Sequence, residues 1–481
     1  MARPFAWLCI GIRAGLGCAV LAGCAQTVPL TALPAVAMPA GWGVGESAHG
    51  ETAHASQWPD AEWWNRFGSV ELARLVREGQ ASNLELAAAL SRVRQAEAQA
   101  RIAGVALLPT LDFGGGVDRS LPVASSGSAS LSASAQLQVA YEVDFWGKNK
   151  AGVAAAAAAL DANREDRQTV ALTVTSAIVS TYLQVLSLRD RLAAAHAHVA
   201  NAEHVLVLVK AQKSAGSASP LDLARQRSVV ASQQAAIPEL QQQSREAQSA
   251  LAILLGRAPQ SFKLGDEGLE TIDLPDVTPG LPSDLLARRP DIRRAEANLA
   301  AADASVAVAR AALFPNIRLT GALGAQSSAL LSLLDAPNLL VNVSASLVTP
   351  IFDAGRLKTE RDLAIARKHE LVQVYRAAVI GALAEVGVVL GQIRSLDEQS
   401  RLKKIELGET RLAFDLSEIR YKVGAEDLMT VLDTQRALAD VHNDLGILKL
   451  KRLQATVSLF KALGGGWHAD APPALERTPS T

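Results

Sequence analysis

From Leu131 to Val143 apolar and polar positions alternate with almost no interruption. Leu131, Ala133, Ala135, Leu137, Val139, Tyr141 and Val143 share one face; Ser132, Ser134, Gln136, Gln138 and Glu142 share the other, with Ala140 as the exception. The alternation returns at Leu339, Val341, Val343, Ala345 and Leu347, set against Asn342, Ser344 and Ser346. Period-two patterning predicts strands with one apolar and one small polar face. Shorter partner strands are read at Leu111, Phe113 and Val117 and at Ile317, Leu319, Leu323 and Ala325. A half-buried soluble sheet gives this pattern, and so does a sheet in a membrane. The two longer strands reach the length of about 9–11 residues that a tilted strand needs to cross a bilayer. A sheet in lipid must close on itself, and single-chain barrels begin at about eight strands. Four strands fall short, so a spanning sheet requires several chains to share one barrel.

Proline placement defines the remaining elements. None occurs from residue 123 to 219 or from 351 to 471, tracts of 97 and 121 residues in a chain with 20 prolines. Because proline breaks helix interiors, the tracts predict two long helices, 148–215 and 356–423, each roughly 100 Å long. Gly216 and Gly424 end them in turns. Shorter helices are expected at 219–255 and 286–313, roughly 55 and 42 Å long, which placed end to end match one long helix. Leu402, Ile405, Leu412, Leu416, Ile419 and Val423 keep a heptad spacing, with Glu409 at one seam position, as in coiled-coil packing. Pro238 is expected to kink helix 219–255.

These elements occur twice. Leu107-Leu108-Pro109 recurs as Leu313-Phe314-Pro315, 206 residues on, and Val143 to Lys150 aligns with Ile351 to Lys358, 208 residues on. Gly216 matches Gly424, Gln226-Arg227 matches Gln435-Arg436 after one insertion, and Gly256 matches Gly464. The expected division is a first repeat at 61–259, a turn-rich linker at 260–283 and a second repeat at 284–466. A Pro-containing polar tail follows at 467–481.

Composition narrows the class. Alanine accounts for 88 of 481 residues and aromatics for 4%. That favours long, closely packed helices over a compact enzyme with an aromatic-rich core. A net charge of −1 leaves no electrostatic footprint for nucleic acid. Residues 1–23 read as a targeting segment ending in Leu21-Ala22-Gly23-Cys24, which resembles the lipobox of bacterial lipoproteins; an ordinary secretory signal or a short anchor gives a similar pattern. Cleavage would leave Cys24 as the one cysteine, acylated, followed by a Pro-, Gly- and Ala-rich tether over 24–60.

Five segments carry a resemblance: Trp63-Trp64 with Phe67 and Leu72; Tyr141 through Gly147; Arg289-Pro290-Asp291-Ile292 with Ala295-Glu296; Pro350 through Arg356; and Tyr421 through Gly424 leading to Val431-Leu432-Asp433. Together, over residues 58–466, they resemble the TolC-like outer-membrane efflux factors, in particular the acylated branch of tripartite drug pumps. The resemblance implies a mainly α fold with a membrane β-barrel portion. Three chains would close a twelve-stranded barrel, continued by a periplasmic coiled-coil tunnel. The function implied is a passive exit duct for drugs or toxic compounds, a lipid-anchored homotrimer in the bacterial outer membrane. Its implied partners are a periplasmic adaptor and a proton-driven inner-membrane transporter. The implied constriction falls on Met429 and Asp433. Thr430 stands where some relatives carry a second acid, and Glu426 and Asp427 lie in the same turn. Gly216, Ser217, Tyr421 and Gly424 mark the tips expected to meet the adaptor.

A periplasmic adaptor or a coiled-coil scaffold lipoprotein is the competing class, disfavoured by the duplicated hairpin with two strand pairs. His196 and His198, two apart on a helix, point about 200° away from each other, so with His204 they predict no metal site. Gly114-Gly115-Gly116 lies in a strand, with no Gly-Lys-Ser/Thr following as a phosphate loop requires. No nucleophile, base and orienting carboxylate assemble from the sequence, and neither an enzyme nor a cofactor is expected.

Overall fold

The computed structural model describes residues 36–39, 41–42, 60–121, 130–277, 282–328, 333, 335 and 339–466. The targeting segment, Cys24, most of the tether and the tail lie outside them. One element series appears twice. In the first half α1 (Val70–Ser82) and α2 (Leu84–Val105) lead to β1 (Thr110–Ser120), β2 (Ser130–Glu142), α3 (Lys148–Ser214) and α4 (Pro220–Leu254). In the second, α5 (Pro290–Ala311) leads to β3 (Asn316–Ser327), β4 (Leu339–Val348), α6 (Arg356–Lys422) and α7 (Leu428–Ala462). Both long helices contain 67 residues. The described residues form two compact units that draw on both halves: 92–164 with 294–376, and 36–91 with 165–293 and 377–466.

The first unit holds one antiparallel sheet in the order β1-β2-β3-β4. Leu111 lies opposite Val139, Leu137 opposite Leu323, and Leu323 opposite Val341. Odd-numbered residues therefore share a face across the whole sheet. That face is apolar and exposed at Leu111, Phe113, Leu137, Leu319, Val341, Val343 and Leu347. At the end of β2, Asp144 accepts from the Asn149 and Lys150 N–H groups and starts α3. Trp146 donates from Nε1 to the Pro315 carbonyl at 2.7 Å and stacks on Phe314 at 4.7 Å.

The second unit is held by an apolar nucleus. Trp63, Phe67, Leu72 and Leu75 from the leading segment meet Ile178, Tyr182, Leu183 and Leu186 of α3, Leu251 of α4 and Phe460 of α7. Trp63 stacks on Phe460 at 4.8 Å. The few aromatics are thus concentrated where four elements converge, because one ring buries far more apolar area than alanine.

A second junction is built twice in this unit. After α1, the Asn83 side chain donates to the Leu254 carbonyl at the end of α4. The residue 206 positions later, Arg289, donates to the Ala462 carbonyl at the end of α7. Gly256 and Gly464 follow those helices with φ of 68° and 91°. A Cβ at either would lie 2.5 Å from the Ser82 carbonyl oxygen or 2.6 Å from that of Arg288.

One expectation is corrected. The helix expected at 286–313 begins at Pro290, with a separate turn at Leu285–Arg288. Arg289 is extended, φ −88° and ψ 120°, as the proline ring demands of the residue before it. Helix α4 continues through Pro238. Proline removes one internal hydrogen bond, while Ile237 and Leu240 remain packed on Val185 and Leu188. The heptad positions Leu402, Ile405, Leu412, Leu416, Ile419 and Val423 are exposed in the single chain. The intrachain contacts near that end use Phe414, Ser417 and Tyr421 instead.

Candidate functional site

The turns joining α3 to α4 and α6 to α7 share one construction. The Ser217 N–H donates to the Gln212 carbonyl and that of Gly216 to Lys213; the Ala425 N–H donates to Arg420 and that of Gly424 to Tyr421. This double closure uses a left-handed residue, and glycine supplies it with φ of 78° and 75°. Three residues beyond each glycine stands the next helix cap. Ser219 accepts from the Asp222 N–H at 3.1 Å while Asp222 accepts from the Ser219 N–H at 2.9 Å, a reciprocal capping box. In the second turn Asp427 accepts from the Thr430 N–H and hydroxyl, both at 2.9 Å. Hydroxyl and carboxylate have exchanged places, with the cap preserved.

These contacts set the acidity of the turns. Hydrogen bonds from Ser219 hold the Asp222 carboxyl below its ordinary range, and those from Thr430 do the same for Asp427. A lowered folded value means that the caps contribute above the ordinary carboxylate range and are lost as pH falls through the lowered values. Amide protection factors at residues 217–223 and 425–431 are therefore expected to be high at neutral pH and to fall in strong acid. Ser219→Ala should speed exchange in the first turn alone, a loss of about 1 kcal/mol of capping. Protection factors independent of pH would contradict this account.

Both turns meet in one apolar cluster: Val205 and Val209 of α3, Leu223 of α4, Tyr421 of α6, and Leu428, Val431 and Leu432 of α7. Tyr421 is buried there, and burial, followed by the Asp222 charge, pushes its hydroxyl up. It supports the turns and presents no surface of its own, unlike the exposed Gly216, Ser217 and Gly424.

The constriction candidates occupy the first turns of α7. Met429 and Asp433 are exposed and Thr430 is half-buried. Glu426 pairs with Arg420 at 3.1 Å, and Asp427 is engaged as the cap. Of the three acids near the turn, Asp433 is the one whose side chain is neither a helix cap nor in an ion pair among the described residues. The histidines diverge: His196 is exposed, His198 faces His442 at 5.9 Å between ring centres, and His204 lies 3.7 Å from Glu418. Arg289, quoted above only as part of a motif, is three-way engaged. It forms a fork on Asp291 at 2.8 and 3.0 Å and reaches Glu385 at 2.8 Å in addition to Ala462. Asn83 was not singled out in the sequence; stepping 206 residues back from Arg289 finds it.

The family profile described as "Outer membrane efflux protein" matches residues 75–257 and 281–465, two stretches of nearly equal length that cover most of the chain. The chain belongs to the outer membrane efflux protein family. Among its relatives, the pyoverdine export outer membrane protein OpmQ of Pseudomonas putida is 42% identical over 462 residues, 94% of this chain and 96% of the relative. The cation efflux system protein CusC of Escherichia coli is 30% identical over 93% of this chain and 97% of its own length. In three dimensions the open state of the MtrE outer membrane channel of Neisseria gonorrhoeae superposes with a TM-score of 0.80 at 26% identity, covering 90% of this chain and 98% of that one. This efflux protein is thus an outer-membrane channel of a tripartite efflux system, with the trimeric TolC-like fold in which a helical portion joins a membrane β-barrel portion.

Proposed function

We propose that three copies form a passive duct in which a twelve-stranded barrel carries small molecules across the outer membrane. A periplasmic adaptor and a proton-driven inner-membrane transporter supply them. The observation that carries this reading is the four-stranded sheet, apolar and exposed on one face and unpaired along β1 and β4. Backbone groups on an open edge have no partner in lipid, and neighbouring copies provide one. In this reading the repeats at 61–259 and 284–466 each contribute two strands and one long helix to the protomer, and acylated Cys24 with the tether over 24–60 anchors it. The similarity to OpmQ favours an organic exported compound over a bare cation. Purified outer membranes should contain heat-modifiable trimers; a soluble periplasmic monomer would overturn the reading.

The gate is assigned to Met429 and Asp433, each forming a ring of three about the trimer axis. Thr430, Glu426 and Asp427 shape the turn beneath it, and Gly216, Ser217 and Gly424 offer the tip surface to the adaptor, with Tyr421 packed behind them. A ring of carboxylates favours cations over anions. Asp433→Ala is expected to reduce cation preference and change single-channel conductance in planar bilayers. If both are unaltered, Asp433 does not line the constriction.

A further inference from the structure

One pair of titratable side chains in the second unit serves neither the turns nor the junctions. His198 of α3 stands 18 residues before Gly216, and His442 of α7 stands 18 residues after Gly424. At 1.5 Å per residue each lies roughly 27 Å from its own turn. Equal distance from the two turns brings the rings together, 5.9 Å between centres with their planes at 57°. Both line a cavity of about 1140 Å³ shared by α3, α4, α6 and α7. Beside them the Arg191 Nε donates to the Asn443 side chain at 3.0 Å, so α3 and α7 are bridged twice at this height.

We propose that His198 and His442 together bind a borderline divalent cation, with Zn²⁺ as the type, and that the ion clamps α3 to α7. The site follows from these residues alone; its effect on transport rests on the channel reading. Zn–N bonds are about 2.0–2.1 Å long, so two imidazoles on one ion hold their ring centres roughly 5–6 Å apart. The observed spacing already lies in that interval, and neither helix has to move. Imidazole suits Zn²⁺, Cu²⁺ and Ni²⁺, whereas Mg²⁺ and Ca²⁺ take oxygen ligands. His196 and His204 stay outside the site, the first exposed and the second beside Glu418. No group of three His, Cys, Asp or Glu able to hold a metal forms among the described residues. Water from the cavity therefore completes the shell, which makes the ion exchangeable, unlike one in a closed four-ligand site.

A histidine ligates in its neutral form. Burial, followed by the His442 charge, holds the proton affinity of His198 below its ordinary value, against a smaller pull from Asp440. His198 therefore keeps its lone pair at neutral pH. Two cations of the cavity wall are already engaged, Lys449 with Glu270 at 3.0 Å and Arg452 with Asp397 at 2.6 Å. The clamp joins the α3–α4 hairpin to the α6–α7 hairpin. At a free ion concentration one hundred times Kd, arrangements in which the pair is parted become about a hundredfold rarer.

Calorimetric titration of the full-length, untagged trimer in detergent with ZnCl₂ at neutral pH tests the site. The parent should bind one more Zn²⁺ per chain than His198→Ala or His442→Ala, whose affinity at that site should fall at least about tenfold. His196→Ala should bind like the parent, and MgCl₂ should not distinguish the four proteins. Heat-modifiable trimer reports folding of each variant, and His442→Gln, which keeps a polar side chain without imidazole, should lose the ion equally. Equal Zn²⁺ binding by the parent and by folded His198 and His442 variants overturns the site, whatever becomes of the channel reading. In planar bilayers Zn²⁺ should suppress switching between conductance levels in the parent and leave His442→Ala unaffected. Equal suppression in both, with the difference in binding intact, puts that effect elsewhere, as on the Asp433 ring, and overturns the clamp. Absence of any channel from a protein that still binds Zn²⁺ through the pair removes the channel reading and leaves the site.

Discussion

Gly464→Ala and Gly256→Ala are each expected to abolish most of the heat-modifiable trimer recovered from outer membranes, while Gly216→Ala should spare it. All three glycines have positive φ, so a methyl group costs roughly 1–2 kcal/mol from backbone conformation alone. Their surroundings then separate them. At Gly216 nothing lies within 4 Å of the added carbon, and the conformational cost is the whole effect. At Gly256 and Gly464 the methyl meets a backbone carbonyl, of Ser82 or Arg288, at 2.5 and 2.6 Å. A backbone oxygen cannot turn aside like the end of a long side chain, so the helix end or the α1 and α5 entry must move. Overpacking adds about 1–3 kcal/mol, in a junction that also anchors the Asn83 and Arg289 bonds. Recovery of trimer in the order Gly216→Ala below Gly464→Ala would show that this close approach does not matter.

Arg289→Ala should lower the temperature of trimer dissociation in detergent, and Arg289→Lys should restore part of the loss. The Arg289 side chain is 11% exposed and holds two carboxylates and one carbonyl. Burial alone would lower its affinity for a proton, but the Asp291 and Glu385 contacts outweigh it and raise the value. For Asp291 burial pulls upward and the Arg289 hydrogen bond pulls further down. Its contribution is thus present above the ordinary carboxylate range and fades as pH falls through the lowered folded value. Removing one member of such a pair leaves unpartnered charge behind; with Glu385 and Asp291 partly open to water, the cost sits at the lower end for buried pairs, about 3 kcal/mol. Lysine keeps the charge but cannot form the fork on Asp291. The difference between alanine and wild type should shrink in acid. A difference independent of pH would assign the effect to packing.

The strands were legible because their period-two pattern is strong over ten or more residues, and the long helices because proline is missing from both tracts. The duplication was legible from paired landmarks such as Pro109 and Pro315. What escaped reading was contact between segments distant in sequence. Asn83 meets the Leu254 carbonyl, a side chain and a backbone atom 171 residues apart, with no periodicity to announce it. The exchange of Ser219 and Asp222 for Asp427 and Thr430 hid a shared cap behind different letters. The pattern of α6 showed an apolar seam but not that its own chain leaves the seam bare. For the helix starting at Pro290, the helical pattern was followed past a proline that was itself the signal to stop.

The open edges of the sheet also bear on how the channel behaves when two versions of the gene product are mixed. A chain whose β1 edge is spoiled still offers a sound β4 edge, so it can enter a ring and leave one seam unclosed. With equal amounts of sound and spoiled chains and random assembly, only about one ring in eight would be wholly sound. A single defective edge should therefore be dominant over the normal copy, whereas a lesion that prevents the protomer from folding should be recessive.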